Sequence, residues 1–140
     1  LMANIREDKG YTYGIGSGIA SLKDAGYFFI ATEVGADVCN LALTEIFKEI
    51  TLLKEELVGE QELDLVRNYM LGSMLGSLEN IISHADKFKN IHFSGLGYDY
   101  YSNYIATVKS ISAEKIQQMA QQYLNTEQFV QVVAGKLNVA

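Results

Sequence analysis

The sequence predicts an α+β fold in which helices cover one face of an antiparallel sheet. Residues 11–34 alternate with period two around a turn, which indicates a β-hairpin. Residues 38–123 carry apolar side chains at steps of three or four, which indicates amphipathic helices. Residues 128–135 (QFVQVVAG) read as a buried closing strand. Because strands flank a run of helices, packing the helices on one face of the sheet buries both kinds of element.

Length and composition favour one domain over residues 1–140, since the chain has 140 residues, of which 49% are hydrophobic and 20% charged. A net charge of −6 argues against nucleic acid as a partner, and no apolar run approaches a membrane span. Cys39 is expected to be a small core residue. Residues 1–6 read as the last turns of a helix already under way, so we expect an N-terminally truncated domain. The compartment is not predicted.

The first predicted elements are a helix end and the hairpin. Lys9-Gly10 should end the first helix, because a cation suits the helix C-terminus and glycine adopts positive φ. Bulky residues from Tyr11 to Ile19 alternate with Gly14, Gly16 and Gly18, so one face of the strand is nearly bare, and something should pack closely there. Residues 23–26 supply the turn, and residues 27–34 form the return strand.

Four helical segments follow the hairpin. The first begins after Gly35, and the second begins after Gly59 with acidic residues in its first turn. The buried stripe predicted for the second helix consists of Leu63, Val66, Met70, Met74, Leu78 and Ile81. This stripe extends, with a kink, to Phe93, before Gly95 breaks it. Residues 100–108 form a third helix, and Ser112 caps a fourth.

Arg6 and Tyr13 are the candidate site residues. Arg6 lies four residues before Gly10, about 6 Å of helix, and Tyr13 lies three residues after it, about 10 Å of strand. Since the chain reverses between them, both side chains could reach one point. A planar cation beside a phenol can donate hydrogen bonds to a developing oxyanion or to peptide carbonyls. Judged by spacing alone, the commoner interpretation of this segment is that Arg6 is an ordinary surface arginine and that Tyr13 lies on the buried face of the hairpin.

Other motifs carry weaker chemical signals. His84 and His92 stand eight residues apart, which matches no zinc-ligand spacing, so no metal is expected on this chain. The glycine-rich run at residues 14–18 lies inside a strand and lacks the spacing of a phosphate loop. A tyrosine cluster fits either a peptide-binding chamber or an inter-helix patch; its members are Tyr98, Tyr100, Tyr101 and Tyr104.

The segment Ile5-Arg6-Glu7-Asp8-Lys9-Gly10-Tyr11-Thr12-Tyr13 closely resembles the LREKxGLxY signature in the C-terminal domain of pitrilysin/insulinase metallopeptidases, a family that includes the mitochondrial processing peptidases. The resemblance continues over nearly the whole chain. It implies a processing-peptidase-like half-domain without zinc, whose partner is a zinc-bearing N-terminal half and whose substrate is an extended peptide. The family domain normally begins some tens of residues earlier, and that strand and helix are missing before Leu1.

The resemblance also implies roles for the two candidate residues. Arg6 matches the family arginine that grips substrate carbonyl or carboxylate groups, and Tyr13 matches the tyrosine that faces the tetrahedral intermediate. This chain alone should therefore be inactive, although it forms part of a zinc metalloendopeptidase. One alternative is a non-catalytic scaffold or core subunit that retains the family fold. A second alternative is an unrelated α+β binding domain.

Overall fold

The computed structural model describes residues 1–135 of the chain. It contains an N-terminal π-helix, a β-hairpin, five α-helices and a short 3₁₀ helix. In order these elements are the π-helix Met2–Asp8, β1 Thr12–Ser21, β2 Gly26–Val34, α1 Cys39–Glu55, α2 Glu60–Gly76, α3 Ile81–Phe93, α4 Tyr100–Ser110, α5 Ala113–Tyr123 and the 3₁₀ helix Thr126–Gln128. The predicted α+β class and the predicted hairpin are confirmed.

The predicted closing strand at residues 128–135 is wrong. Within the described part of the chain, the sheet consists of β1 and β2 alone. Phe129 has extended dihedral angles, but the segment from Phe129 to Gly135 joins no ladder. Strand propensity reflects apolar and β-branched composition, whereas a ladder needs a second strand about 4.8 Å away. A groove separates this segment from β2. Within the described residues, the segment therefore has no strand with which to pair.

The described chain divides into two compact units, and a single domain over residues 1–140 stays a prediction. The first unit comprises residues 1–56 and the described residues from Gln118 onward. Its core is a cluster of four isoleucines contributed by the π-helix, β1 and α1; they are Ile5, Ile15, Ile46 and Ile50. Phe47 and Phe129 pack against this cluster with their rings edge to face.

The hairpin pairs in a regular antiparallel register except near the start of β1. From Ile15 opposite Thr32 to Ser21 opposite Gly26 the pairing is continuous, and a bulge interrupts it between Thr12 and Ile15. The predicted close packing on the glycine face occurs only at Gly18, where a Cβ atom would lie 2.9 Å from the Phe29 ring. Gly14 and Gly16 have nothing within 4 Å of the corresponding position.

The second unit, residues 57–117, contains α2, α3 and α4. Leu63 is buried as predicted, but Val66, Leu78 and Ile81 of the predicted stripe are exposed. The predicted kink is a complete break, because α2 ends at Gly76 and Asn80 caps a new helix by accepting a hydrogen bond from the Ile82 amide. Leu78 and Ile81 therefore do not continue the face of α2. We have no structural account for Val66.

Polar contacts fix two helix ends in the second unit. Arg67 on α2 forms ion pairs with Glu60 and Asp64 and donates a hydrogen bond to the carbonyl of Ile111, the C-cap residue of α4. The Ser112 hydroxyl accepts a hydrogen bond from the Lys115 amide at 3.3 Å, which confirms the predicted cap. Among residues 1–135, no helix combines the length and apolar content that a membrane span requires.

Candidate functional site

Arg6 and Tyr13 line the same open groove at the start of β1. The groove has a volume of about 570 Å³ and is built from the end of the π-helix, the turn after it and the end of β2. Its lining residues are Arg6, Gly10, Tyr11, Thr12, Tyr13, Glu33, Val34 and Gly35. The sequence-based expectation that the guanidinium and the phenol reach a common place agrees with this arrangement. The body of the sheet does not separate them.

Arg6 is presented to the groove because its neighbours anchor the π-helix. Ile5 is completely buried in the isoleucine cluster, and the Asn4 amide donates hydrogen bonds to Glu45 and Glu49 on α1. Gly10 then reverses the chain at φ +65°, a conformation that favours glycine. Arg6 itself is exposed, and its side chain forms no hydrogen bond or ion pair with any residue in the described range 1–135. Its donors are thus available to a ligand.

Tyr13 lies in the β-bulge and is 100% exposed. Two threonine hydroxyls brace the bulge around it. Thr12 Oγ1 lies 2.9 Å from the Gly14 carbonyl and 2.7 Å from the Glu33 carbonyl, and it accepts a hydrogen bond from the Gly14 amide. The Thr32 hydroxyl contacts Thr12 Oγ1 at 3.0 Å and the Gly14 carbonyl at 3.0 Å. Bulges commonly re-aim a side chain, and this one turns Tyr13 outward. The alternative of a tyrosine on the buried hairpin face is wrong.

Glu33 and Thr12 line the groove but were not identified as site residues from the sequence. A usable signal was present in the predicted turn. The predicted turn at residues 23–26 lies within one residue of the observed centre at Lys23 and Asp24, and counting outward from that observed centre places residues 33 and 34 opposite the start of β1. Glu33 adds an exposed carboxylate to a groove that also holds the Arg6 cation.

The groove offers donors for an extended polar ligand. A guanidinium supplies several N–H donors in a planar array, and a phenol supplies one O–H donor. Among residues 1–135, no group of three His, Cys, Asp or Glu side chains is placed to hold a metal ion. His84 and His92 are exposed on α3, where the His92 ring stacks on Phe88. The described residues therefore offer no such cluster of ligands for zinc.

The tyrosine cluster is divided between two contacts in the second unit. Tyr98 stacks on Phe88 with 6.1 Å between ring centroids, and Tyr100 meets Tyr101 edge to face at 5.1 Å. The Lys87 ammonium lies 5.5 Å from the centre of the Tyr101 ring. Burial raises the pKa of Tyr101, with a smaller contribution from Tyr100. These contacts favour the inter-helix patch over a peptide-binding chamber.

Comparison with solved structures identifies the fold. The M16 peptidase inactive domain from Pseudomonas fluorescens superposes with a TM-score of 0.79 over 91% of this chain, at 23% identity. A protease from Helicobacter pylori superposes with a TM-score of 0.78 over 91% of this chain, at 18% identity. This chain covers 30% and 31% of those two chains.

Comparison of sequences identifies the family. An uncharacterised zinc protease, YmxG, from Bacillus subtilis is 31% identical over 80 residues, which are 57% of this chain and 20% of YmxG. The chain thus spans about a fifth of the length of this relative. The model of the M16 peptidase inactive domain matches residues 1–70, half of the chain, and includes both Arg6 and Tyr13. The chain therefore belongs to the M16 peptidase inactive-domain family, which confirms the resemblance seen in residues 5–13.

Proposed function

We propose that this domain binds an extended peptide at the Arg6–Tyr13 groove and completes the active site of a zinc endopeptidase whose metal lies on a partner half. The observation that carries the proposal is the shared groove, which is lined both by Arg6, whose side chain has no hydrogen bond or ion pair within residues 1–135, and by the fully exposed Tyr13. Membership of the M16 inactive-domain family supports it, because that family accompanies zinc proteases.

In this proposal each residue has a separate role. The Arg6 guanidinium donates two parallel hydrogen bonds to a carbonyl or carboxylate of the peptide and so fixes its position. The Tyr13 hydroxyl donates a hydrogen bond to the oxygen of the scissile carbonyl as that oxygen gains negative charge. A donor placed where charge develops stabilises the transition state more than the ground state. The metal chemistry belongs to the partner half.

The decisive experiment replaces Tyr13 in the full-length parent protein. We expect Tyr13→Phe to lower kcat for a peptide substrate by roughly 10²- to 10³-fold, as loss of one oxyanion donor does in other enzymes. Stability should change by less than about 0.5 kcal/mol, because Tyr13 is fully exposed. The matched control is Tyr69→Phe, which removes the phenol of a residue 76% exposed in the second unit.

Arg6→Met separates binding from chemistry in the same assay. If Arg6 holds the peptide equally in the ground and transition states, its replacement should raise KM with a smaller change in kcat. Unchanged turnover by both Tyr13→Phe and Arg6→Met would contradict the proposal. That outcome would favour the scaffold alternative, in which the family fold is kept without the chemistry.

A further inference from the structure

Glu33 is the single charged residue of β2, and it stands at the end of that strand which borders the Arg6–Tyr13 groove. Successive residues of a strand face opposite sides of the sheet. Glu33 therefore lies on the side away from Thr32 and Val34, which are half-buried, and its own side chain is exposed. The strand thus presents one carboxylate on the solvent face of the hairpin, at the groove.

The backbone of Glu33 is fixed at this position. The Thr12 hydroxyl oxygen lies 2.7 Å from the Glu33 carbonyl oxygen, and the Thr32 hydroxyl contacts Thr12 Oγ1 at 3.0 Å. On the other side of Glu33, Val34 pairs with Thr12 across the ladder. A side chain that starts from a fixed backbone loses less freedom on binding a ligand than one on a mobile loop. The charge of Glu33 is therefore presented from a defined point of the groove.

The two charges of the groove do not neutralise each other. Among the described residues that line it, Arg6 and Glu33 are the charged ones. Within residues 1–135, neither side chain forms an ion pair or a hydrogen bond. The neighbouring pair on this face of the hairpin is Ala31 and Gly16, and nothing lies within 4 Å of the point where a Cβ atom of Gly16 would stand. The face beside the carboxylate therefore has room for a ligand side chain.

We infer that Glu33 is a specificity-determining residue that binds a cationic nitrogen of the peptide, an ammonium or a guanidinium. A neutral peptide segment satisfies Arg6 through a carbonyl or carboxylate but leaves the Glu33 charge without a partner. A segment that also carries a positive charge satisfies both, and complementary charges decide which of two similar partners binds. The inference rests on the proposed function, because it names the class of peptide that the groove accepts.

Paired substrates for the full-length parent protein test this inference. In a peptide blocked at both ends and otherwise uncharged, one lysine is moved through successive positions. Each peptide is compared with its norleucine counterpart, which keeps the side-chain length but lacks the charge. We expect the wild type to favour lysine at one position by roughly 5- to 10-fold in kcat/KM, mainly through KM, as a charged hydrogen bond in an open groove provides. A norleucine peptide with a free N-terminus shows whether the α-amino group is the source instead.

Substitution of Glu33 identifies the residue responsible. Glu33→Gln should reduce the preference for the cation to within about twofold, and Glu33→Lys should reverse it. The matched control is Glu62→Gln, at an exposed glutamate on α2, which should keep the wild-type preference. A preference that survives in Glu33→Gln, or no preference in the wild type, would overturn the inference. The proposed function would still stand if Tyr13→Phe and Arg6→Met impaired turnover, whereas normal turnover by both would end the proposed function and this inference together.

Ionic strength provides a second measurement that needs no variant. Because salt screens exposed charges, the lysine preference of the wild type should fall when NaCl is raised from about 0.05 to about 0.5 M. The ratio of the two kcat/KM values cancels any general effect of salt on the enzyme. A preference that does not change with salt would contradict an ion pair at Glu33 and overturn the inference.

Discussion

The π-helix and the start of β1 each place an anchored residue directly beside an exposed one. Ile5 is completely buried, and the adjacent Arg6 is exposed and unpaired within the described residues. Thr12 forms several hydrogen bonds, and the adjacent Tyr13 is 100% exposed. Each candidate site residue thus stands next to a residue that anchors the backbone. Two freely accessible side chains can therefore start from fixed backbone positions, because the residues next to them anchor the chain.

Removing the buried side chain next to Arg6 should destabilise the fold most strongly. Ile5→Ala should lower the free energy of unfolding by about 2–5 kcal/mol, because it removes a fully buried side chain and leaves a cavity. Urea denaturation of the full-length protein measures this. Met2→Ala, at a residue 39% exposed on the same helix, is the control and should cost much less. An equal loss for the two variants would show that Ile5 is no special anchor.

A smaller effect is expected at the brace beside Tyr13. Thr12→Val keeps the side-chain shape but removes the hydroxyl that bridges the bulge, and it should cost about 1 kcal/mol of stability. If the brace positions Tyr13, kcat should also fall while KM changes little. The control is Thr44→Val, which removes a hydroxyl bonded to the Asn40 carbonyl within α1. Equal effects of both substitutions on kcat would argue against a positioning role.

The smallest effect concerns the pH dependence of the polar contacts between the π-helix and α1. Hydrogen bonds from Lys48 and then from Asn4 lower the pKa of Glu45 below its ordinary value of 4.5. A lowered pKa means that the ionised form is favoured in the folded state. Its contribution is complete above pH 4.5 and is lost as the pH falls through the lower folded value.

Glu45→Gln tests this contribution. The stability difference between wild type and variant should shrink as the pH falls below about 5, in urea denaturation at several pH values. Asn4→Ala keeps the carboxylate and removes one donor, so it should reproduce part of the change. Stability curves that stay parallel through the acid range would contradict the assignment.

Most of the fold could be predicted from local patterns, because they directly encode element type. The period-two run and its turn predicted the hairpin, and the apolar spacing of three or four after Gly35 predicted α1, whose buried residues are Ala42, Ile46 and Ile50. The closing strand could not be predicted reliably, because pairing depends on a neighbouring strand rather than on composition. Leu78 and Ile81 were assigned to the stripe of α2 because periodicity alone did not reveal that the helix ends at Gly76.

The candidate site was only partly predictable. The reversal at Gly10 was sufficient to predict that Arg6 and Tyr13 reach the same groove. The bulge was not foreseen, since it depends on a one-residue register shift and on hydroxyl contacts between Thr12 and Thr32. The bulge is what turns Tyr13 from the predicted strand face into the groove.

Because the strands pair continuously from the hairpin turn to the bulge, the length of the turn determines which residues face each other near Tyr13. Leu22 and Ala25 close the turn, and Tyr13 lies nine residues before Leu22, about 30 Å along the strand. Inserting one residue there would slide β2 against β1 and put a different neighbour where Glu33 now lies. An exposed turn that touches neither Arg6 nor Tyr13 would thereby determine which charge a ligand meets beside them.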